Sequence, residues 1–422
     1  MQCLHYDKTT LYMENVALSE LANEFGTPLY AYSYNQILAN YKRFDEAFGD
    51  YPHTVCYALK ANSNPAILRM LAKCGAGADV VSGGELFFAL ESGIKPEKIV
   101  FAGVGKRDID IEAAIKIGVR GINVESEMEY EVISDIASRL NRVAPVSLRI
   151  NPDIDIHGHP YIATGRHGDK FGITRDIALS LIEKIKQDNY CDLVGIHAHI
   201  GSQIKEMKPY TELANYMASI ARKALDTGHR LEYIDMGGGY GLDYERALSV
   251  GINARGDDDL AIDPAKIIPI FIEAIKDTGV QLIIEPGRAL VANTGVLITE
   301  VLYLKKTGNT NIVIVDSGMT ELIRPSLYSA YHEIVPLEIR DAETMVADVV
   351  GPICESGDFF ARERKIQHVG RGDCLAVLTV GAYGYSLASN YNARPKSIEL
   401  LVRGKRVKVI RERQSLEDLW DE

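Results

Sequence analysis

Val55-Cys56-Tyr57-Ala58-Leu59-Lys60-Ala61-Asn62-Ser63-Asn64-Pro65 is an apolar, β-rich run that halts at a lysine and turns through Asn-Ser-Asn-Pro into a helical segment. The same strand-then-helix unit recurs downstream. Further β-rich runs are predicted at Ala76–Ser82, Lys98–Ala102, Gly121–Glu125, Val146–Asn151, Leu193–Ser202, Leu231–Gly239 and Gln281–Gly287, the first being Val55–Asn62. Apolar residues at helical spacing predict helices over Ala66–Lys73, Leu86–Ser92, Glu127–Asn141, Ile177–Lys186, Tyr210–Thr227 and Pro264–Thr278. Eight strands alternating with helices over roughly 230 residues point to an α/β chain built on a (β/α)8 TIM barrel. A doubly wound open sheet is the rival. It would place its ligand at one switch point rather than draw on many strand ends.

After Arg288 the texture changes. Val296–Lys305, Asn311–Asp316, Met345–Val350, Cys374–Gly381, Ser397–Val402 and Arg406–Ile410 are short, β-branched and separated by turn residues. They predict a mostly antiparallel β-sandwich or β-barrel domain, to which Leu11–Met13 would add a strand. The expected division is an N-terminal segment (1–28) belonging to the β domain, the barrel (29–288) and the C-terminal β domain (289–422).

The bulk properties are those of an ordinary globular protein. The chain has 422 residues, 46% of them apolar, and a net charge of −12. That charge disfavours nonspecific nucleic-acid binding and offers no basic patch to anionic membranes. No run is long enough to span a bilayer, and the N-terminus carries no apolar signal segment. The six cysteines, Cys3, Cys56, Cys74, Cys191, Cys354 and Cys374, show neither CxxC pairs nor regular spacing. Neither a zinc site nor a disulfide framework is expected, and a cytoplasmic location is the default. The run Asp257-Asp258-Asp259 reads as a solvated loop.

The chemistry gathers at strand ends. An ammonium at the tip of a buried strand is costly unless paired or used as a neutral amine, so Lys60 is a candidate for imine formation with a carbonyl group. His197-Ala198-His199-Ile200-Gly201-Ser202-Gln203 closes the sixth run. Its two histidines, one residue apart on a strand, would share a face. They read as core residues, as metal ligands lacking a third partner, or as a ring to stack on a flat heteroaromatic. His157 and His159 extend the metal idea, but no carboxylate spacing completes a site, so no metal is expected. Gly237-Gly238-Gly239-Tyr240-Gly241 follows the seventh run. There it is either a tight turn or a phosphate loop, and strands seven and eight commonly build the phosphate site of this fold. Glu285-Pro286-Gly287-Arg288 follows the eighth run. Its acid and base could pair with each other, or serve a ring nitrogen and an anion separately. Lysine, stacking histidine, phosphate loop and ring-facing carboxylate together match the binding needs of pyridoxal 5′-phosphate.

On these residues the chain resembles the fold type III pyridoxal-phosphate decarboxylases, the alanine-racemase-like barrel group. The matching motifs are Tyr57-Ala58-Leu59-Lys60-Ala61-Asn62, His197-Ala198-His199-Ile200-Gly201-Ser202, Gly237-Gly238-Gly239 and Glu285-Pro286-Gly287-Arg288. Three more point to the branch of that group acting on diaminopimelate: Arg324-Pro325-Ser326-Leu327-Tyr328, Cys354-Glu355-Ser356-Gly357-Asp358 and Gly381-Ala382-Tyr383-Gly384. The resemblance covers essentially the whole chain.

It implies pyridoxal 5′-phosphate as cofactor and loss of CO2 from meso-2,6-diaminopimelate to give L-lysine. Lys60 would hold the cofactor through an imine, and His199 would stack on its ring. Ser202, Gly237, Gly238, Gly239, Gly287, Arg288 and Tyr383 would line the cofactor site, with Glu285 at the ring nitrogen, and Tyr383 would touch the substrate as well. Arg288, Arg324 and Tyr328 would take the substrate's distal carboxylate, and Glu355 its distal ammonium. Cys354 would donate a proton. Cys354 and Glu355 come from the partner subunit in this group, so a homodimer with shared sites is implied. The alternatives are a related decarboxylase of ornithine, lysine, arginine or carboxynorspermidine, and a non-catalytic cofactor-binding protein. One stretch departs from the pattern: Gly165-Arg166-His167-Gly168-Asp169, within the loop 157–172, is unusually basic and glycine-rich, and it bears on substrate scope.

Overall fold

The structure is a computed structural model; it describes residues 3–154, 170–245, 260–340 and 344–420. Two compact units emerge.

One unit is a closed, all-parallel eight-stranded barrel. Its strands, in order around the barrel, are His53–Ala58, Gly77–Val80, Ile99–Phe101, Gly121–Val124, Ala144–Arg149, Cys191–His197, Tyr233–Asp235 and Gln281–Ile284. The last pairs with the first, Leu282 opposite His53, which closes the ring. All eight predicted runs are present, though most strands end earlier than expected. Lys60 therefore lies beyond its strand, in the 3-10 turn Leu59–Ala61.

Serine and threonine N-caps start the outer helices. Ser82 accepts from Glu85 N, Ser126 from Glu129 N and Thr174 from Ile177 N. Each satisfies a donor the first helical turn cannot. The barrel interior is filled by Cys56, Val100, Val194, Tyr233 and Ile283. Tyr233 is the bulkiest of these, and two glycines make its room. A Cβ on Gly121 would lie 2.0 Å from the Tyr233 hydroxyl, and one on Gly195 would lie 2.5 Å from its ring.

The other unit holds the mostly antiparallel sheet and, among the described residues, 3–40, 243–245, 288–340 and 344–420. Its backbone is the long strand Gly295–Thr307. One half pairs with Leu29–Ser33 and Cys374–Leu378, the other with Thr310–Val315. Residues 29–40, expected at the start of the barrel, belong here. Leu29–Ser33 is buried at all five positions and sits between Gly295–Thr307 and Ile398–Arg403. A strand covered on both faces shows no alternation, so its pattern resembles that of a barrel strand. Leu11–Met13 does form a strand, Thr10–Met13, but in a separate three-stranded sheet with Leu4–Asp7 and Val16–Ala17. The helices Leu18–Phe25, Tyr34–Glu46 and Asp108–Ile117 and the strand Phe359–Gln367 were not anticipated. All six cysteines are free thiols. Among the described residues no helix is long and apolar enough to cross a membrane.

The Tyr233 packing is directly testable. Gly121→Ala should lower the thermal midpoint through an overpacking penalty of about 1–3 kcal/mol. Adding Tyr233→Phe, which deletes the oxygen that the new methyl meets, should recover much of that loss.

Candidate active site

In the barrel unit, the chemistry-bearing residues sit at the C-terminal ends of the strands, where barrel active sites lie. The Lys60 turn is pinned on both sides. The Tyr57 hydroxyl donates to Asn62 O at 2.9 Å, and Asn64 caps the helix Pro65–Lys73. The Lys60 side chain is 40% exposed, and its Nζ donates to Asp79 Oδ2 at 2.9 Å. Asp79, in the second strand, is fully buried. Burial and the nearby Glu285 raise its carboxyl above the usual range, against the pull of Lys60.

Glu285, immediately after the eighth strand, is also buried, yet its carboxyl is held well below the usual range. Burial opposes this; the charge and hydrogen bond of His197 prevail, aided by Lys60 and His199. His197 Nε2 lies 3.2 Å from Glu285 Oε2, leaving the buried Oε1 outside that contact. An ionised buried oxygen of this kind calls for a donor, and the protonated form of Asp235 supplies one. Asp235, ending the seventh strand, completes a cluster in which His197, Asp235 and Glu285 bring one donor atom each within 4.8 Å. Burial and Glu285 push the Asp235 carboxyl well above its ordinary value, which favours its neutral form.

His197 and His199 do not share one task. His197 holds Glu285, whereas His199 Nδ1 accepts from Gly238 N at 3.1 Å, so the neutral ring carries its proton on Nε2. Burial, then Lys60 and Arg149, lower the His199 pKa well below that of free imidazole. Arg149 is itself paired with Glu125 at 2.8 Å, and Glu125 also accepts from Gly172 N at 3.1 Å.

The glycine loop works by size. A Cβ on Gly237 would lie 2.5 Å from Ala198 O, one on Gly238 2.2 Å from Glu285 O, and one on Gly239 2.3 Å from Gly201 O. Gly237 and Gly239 also hold positive φ, 66° and 92°. The N–H of Gly237 is committed to Asp235 Oδ1 at 2.8 Å and that of Gly238 to His199. Ser202 lies in the adjoining turn, which is zipped to this loop by Ile204 N donating to Gly239 O at 2.9 Å. Gly287 lets the eighth strand's exit press on the lysine turn, because a Cβ there would meet Ala58 and Ala61 at 3.1 and 3.2 Å.

A second cluster lies in the sheet unit. Arg288 and Arg324 are only 8% and 7% exposed. Arg288 Nη1 donates to the Tyr244 hydroxyl at 2.8 Å, and its guanidinium lies 4.9 Å from the Tyr383 ring centroid. Arg324 lies 5.0 Å from the Tyr244 ring and donates to His332 Nε2 at 2.7 Å. Burial alone would raise the Tyr244 phenol, but the two guanidiniums bring its pKa down. Tyr328 is half-buried and adds to the field that raises Arg288. Glu285 and Arg288 contact different side chains, His197 and Tyr244.

Cys354 and Glu355 are exposed. Their loop is nonetheless built: Asn392 Oδ1 accepts from Cys354 N at 2.9 Å, and Asp358 Oδ2 accepts from Ile353 N at 2.7 Å. His157, His159 and the atypical 165–169 stretch lie outside the described residues, as does the 257–259 acid run.

Asp79, Asp235, His332 and Tyr244 had not been singled out. The first two had a signal, a lone acid inside an apolar strand run, which marks a buried charge needing a partner. Replacing Asp79 by Asn removes an opposite charge from Lys60 and disfavours its ammonium form. Labelling of Lys60 by an amine-acylating reagent at neutral pH, followed by peptide mapping, should therefore be faster in Asp79→Asn than in the unaltered protein.

The profile of the pyridoxal-dependent decarboxylases, pyridoxal-binding domain, matches residues 34–292. A diaminopimelate decarboxylase of Aquifex aeolicus is 43% identical over 98% of this chain and 95% of that protein. The crystal structure of diaminopimelate decarboxylase from Helicobacter pylori complexed with L-lysine superposes with a TM-score of 0.90 at 42% identity, over 96% of this chain and 98% of that one. The diaminopimelate decarboxylase of M. jannaschii in co-complex with L-lysine gives 0.90 at 38% identity, over 99% and 96%. The residues fit the family's cofactor, pyridoxal 5′-phosphate: Lys60 offers an accessible amine, and Glu285 a buried carboxylate held ionised. By sequence, by fold and by the residues at its strand ends, this chain belongs to the diaminopimelate decarboxylase family of pyridoxal-dependent carboxy-lyases.

Proposed function

We propose that this chain removes CO2 from meso-2,6-diaminopimelate to give L-lysine, acting in the cytoplasm as a homodimer with shared active sites. The observation that carries the substrate assignment is the pair of nearly buried guanidiniums, Arg288 and Arg324. Ornithine and lysine, bound for loss of their α-carboxylate, present no distal carboxylate to such a pair. Bound that way they would leave the buried Arg324 charge without an anion, at about 3–5 kcal/mol.

When bound, pyridoxal phosphate supplies an aldehyde for an amine and a ring that takes up the electron pair left by CO2. The chain's residues arrange everything else. Lys60 provides the amine, and Asp79 pairs with it whenever that amine is free of the cofactor. Glu285, anionic because His197 holds it so, keeps a proton at the ring nitrogen and thereby makes the ring a better acceptor of electrons. A cation in its place would leave that nitrogen unprotonated, so the carboxylate suits decarboxylation. His199, neutral, stacks on the ring face. Ser202, Tyr383 and the Gly239 N–H bind phosphate, while Gly237, Gly238 and Gly287 allow the close approach.

Arg288, Arg324 and Tyr328 hold the distal carboxylate, and Glu355 takes the distal ammonium. Cys354 protonates the carbon that has lost CO2. The exposure of Cys354 and Glu355 on a firmly tied loop supports their reaching a partner's site.

Borohydride reduction of the holoenzyme followed by peptide mapping should place a pyridoxyl group on Lys60. CO2 release should favour meso-diaminopimelate over ornithine, lysine, arginine and carboxynorspermidine; preference for ornithine would overturn the assignment, and cofactor binding without any turnover would favour a non-catalytic role. Cys354→Ala should lose about 10²–10⁴ in turnover, as for a displaced general acid. Mixing inactive Lys60→Ala with inactive Cys354→Ala should restore up to about a quarter of the activity if sites are shared across a two-fold interface; no recovery would show each site to be self-contained.

A further inference from the structure

Arg324 is anchored in an unusual way. Its Nη1 donates to His332 Nε2 at 2.7 Å, and among the described residues no carboxylate pairs with it. His332 is completely buried. Its other nitrogen, Nδ1, lies 2.9 Å from Leu378 O, and a carbonyl can only accept. Nδ1 therefore carries the proton, and Nε2 presents its lone pair to the arginine.

The surroundings hold the ring in that state. Arg324, Arg288 and Arg364 all bear on it, Arg364 also donating to the His332 backbone carbonyl at 2.9 Å. The Tyr244 ring meets it edge-on at 5.3 Å. Burial first, then these cations, lower the His332 pKa well below that of free imidazole. A proton on Nε2 would remove the acceptor and bring another cation against Arg324.

A carboxylate in the place of His332 would hold Arg324 equally well, but it would cancel the charge that a substrate needs. A neutral acceptor fixes the fork and leaves its charge unspent.

We propose that His332 is a positioning residue of the substrate site, its neutral ring orienting Arg324 for the distal carboxylate of the substrate. The proposal rests on the function given above and predicts a binding defect confined to ligands bearing that carboxylate.

The test uses the holoenzyme. His332→Leu removes the acceptor and should raise the KM for meso-diaminopimelate by about tenfold, the loss of one hydrogen bond to a charged group, with kcat changed less than about threefold. L-Lysine retains the distal carboxylate as product, so its inhibition constant should rise by a similar factor. 1,5-Diaminopentane lacks it, and its inhibition constant should hold steady.

His332→Gln offers Arg324 an uncharged carbonyl oxygen and should restore most of the affinity. His332→Asn keeps a donor for Leu378 O but falls short of Arg324, and should behave like the leucine variant; it serves equally if the leucine variant does not fold. Equal shifts for all three ligands, or none, would make His332 an ordinary core residue and end the proposal. Absence of CO2 release from the unaltered holoenzyme would instead overturn the functional reading.

Discussion

The contact of His197 with Glu285 is the constraint on which the barrel's chemistry depends. Three buried acids, Asp79, Asp235 and Glu285, stand at the same end of the barrel. Like charges in a desolvated space cannot all ionise, and the environment must choose among them. The choice is made by partners. Glu285 receives His197 and drops; Asp235 receives Glu285 as a neighbour and rises; Asp79 is opposed by Lys60 but still rises. One carboxylate is thereby kept negative. Removing His197 would unsettle the sharing of protons among all three.

Close packing of backbone is the second constraint, and it explains why glycine clusters carry information here. Gly237, Gly238 and Gly239 press against the carbonyls of Ala198, Glu285 and Gly201, which come from the exits of strands six and eight. Three strand exits are thus brought together with no side chain between them. With two of the three N–H groups already used inside the protein, the loop's first role is to set how near the His199 ring and Glu285 lie to one another. Deeper in the barrel, Gly121 and Gly195 do the same for Tyr233. Glycine placement thus shapes both the floor and the rim of one barrel.

Much of this was legible in the sequence, and the gaps have physical causes. Parallel strands buried on both faces stand out as apolar runs, so all eight were found and their exits identified the site-bearing segments. The same property misled at Leu29–Ser33, whose unbroken burial imitates a barrel strand although it lies in the other sheet. Helix Tyr34–Glu46 went unnoticed because its polar residues dilute the apolar stripe. Lys60 was expected at a buried tip; the strand ends two residues earlier, and its amine is half exposed with Asp79 beneath it. Tyr244 and His332 are separated by most of a domain's length in sequence, and neither periodicity nor spacing joins them to Arg288 or Arg324. Contacts of that range become visible only once the chain has folded.

The two clusters solve opposite problems with opposite means. At the barrel's strand ends a charge must be preserved on Glu285 and an amine kept ready on Lys60, and each is given an ionic partner, His197 or Asp79. Around Arg324 the partners are the Tyr244 phenol, whose pKa the guanidiniums bring down, and an imidazole held neutral. An acid there would satisfy the guanidinium permanently, and an incoming carboxylate would have to displace it while paying its own desolvation. The neutral imidazole orients without competing, at the expense of a buried cation that is less stable on its own. In the substrate role proposed for Arg324, a ligand carrying a negative group at the right place would relieve that instability, so the same packing that weakens the free state would sharpen the choice of ligand.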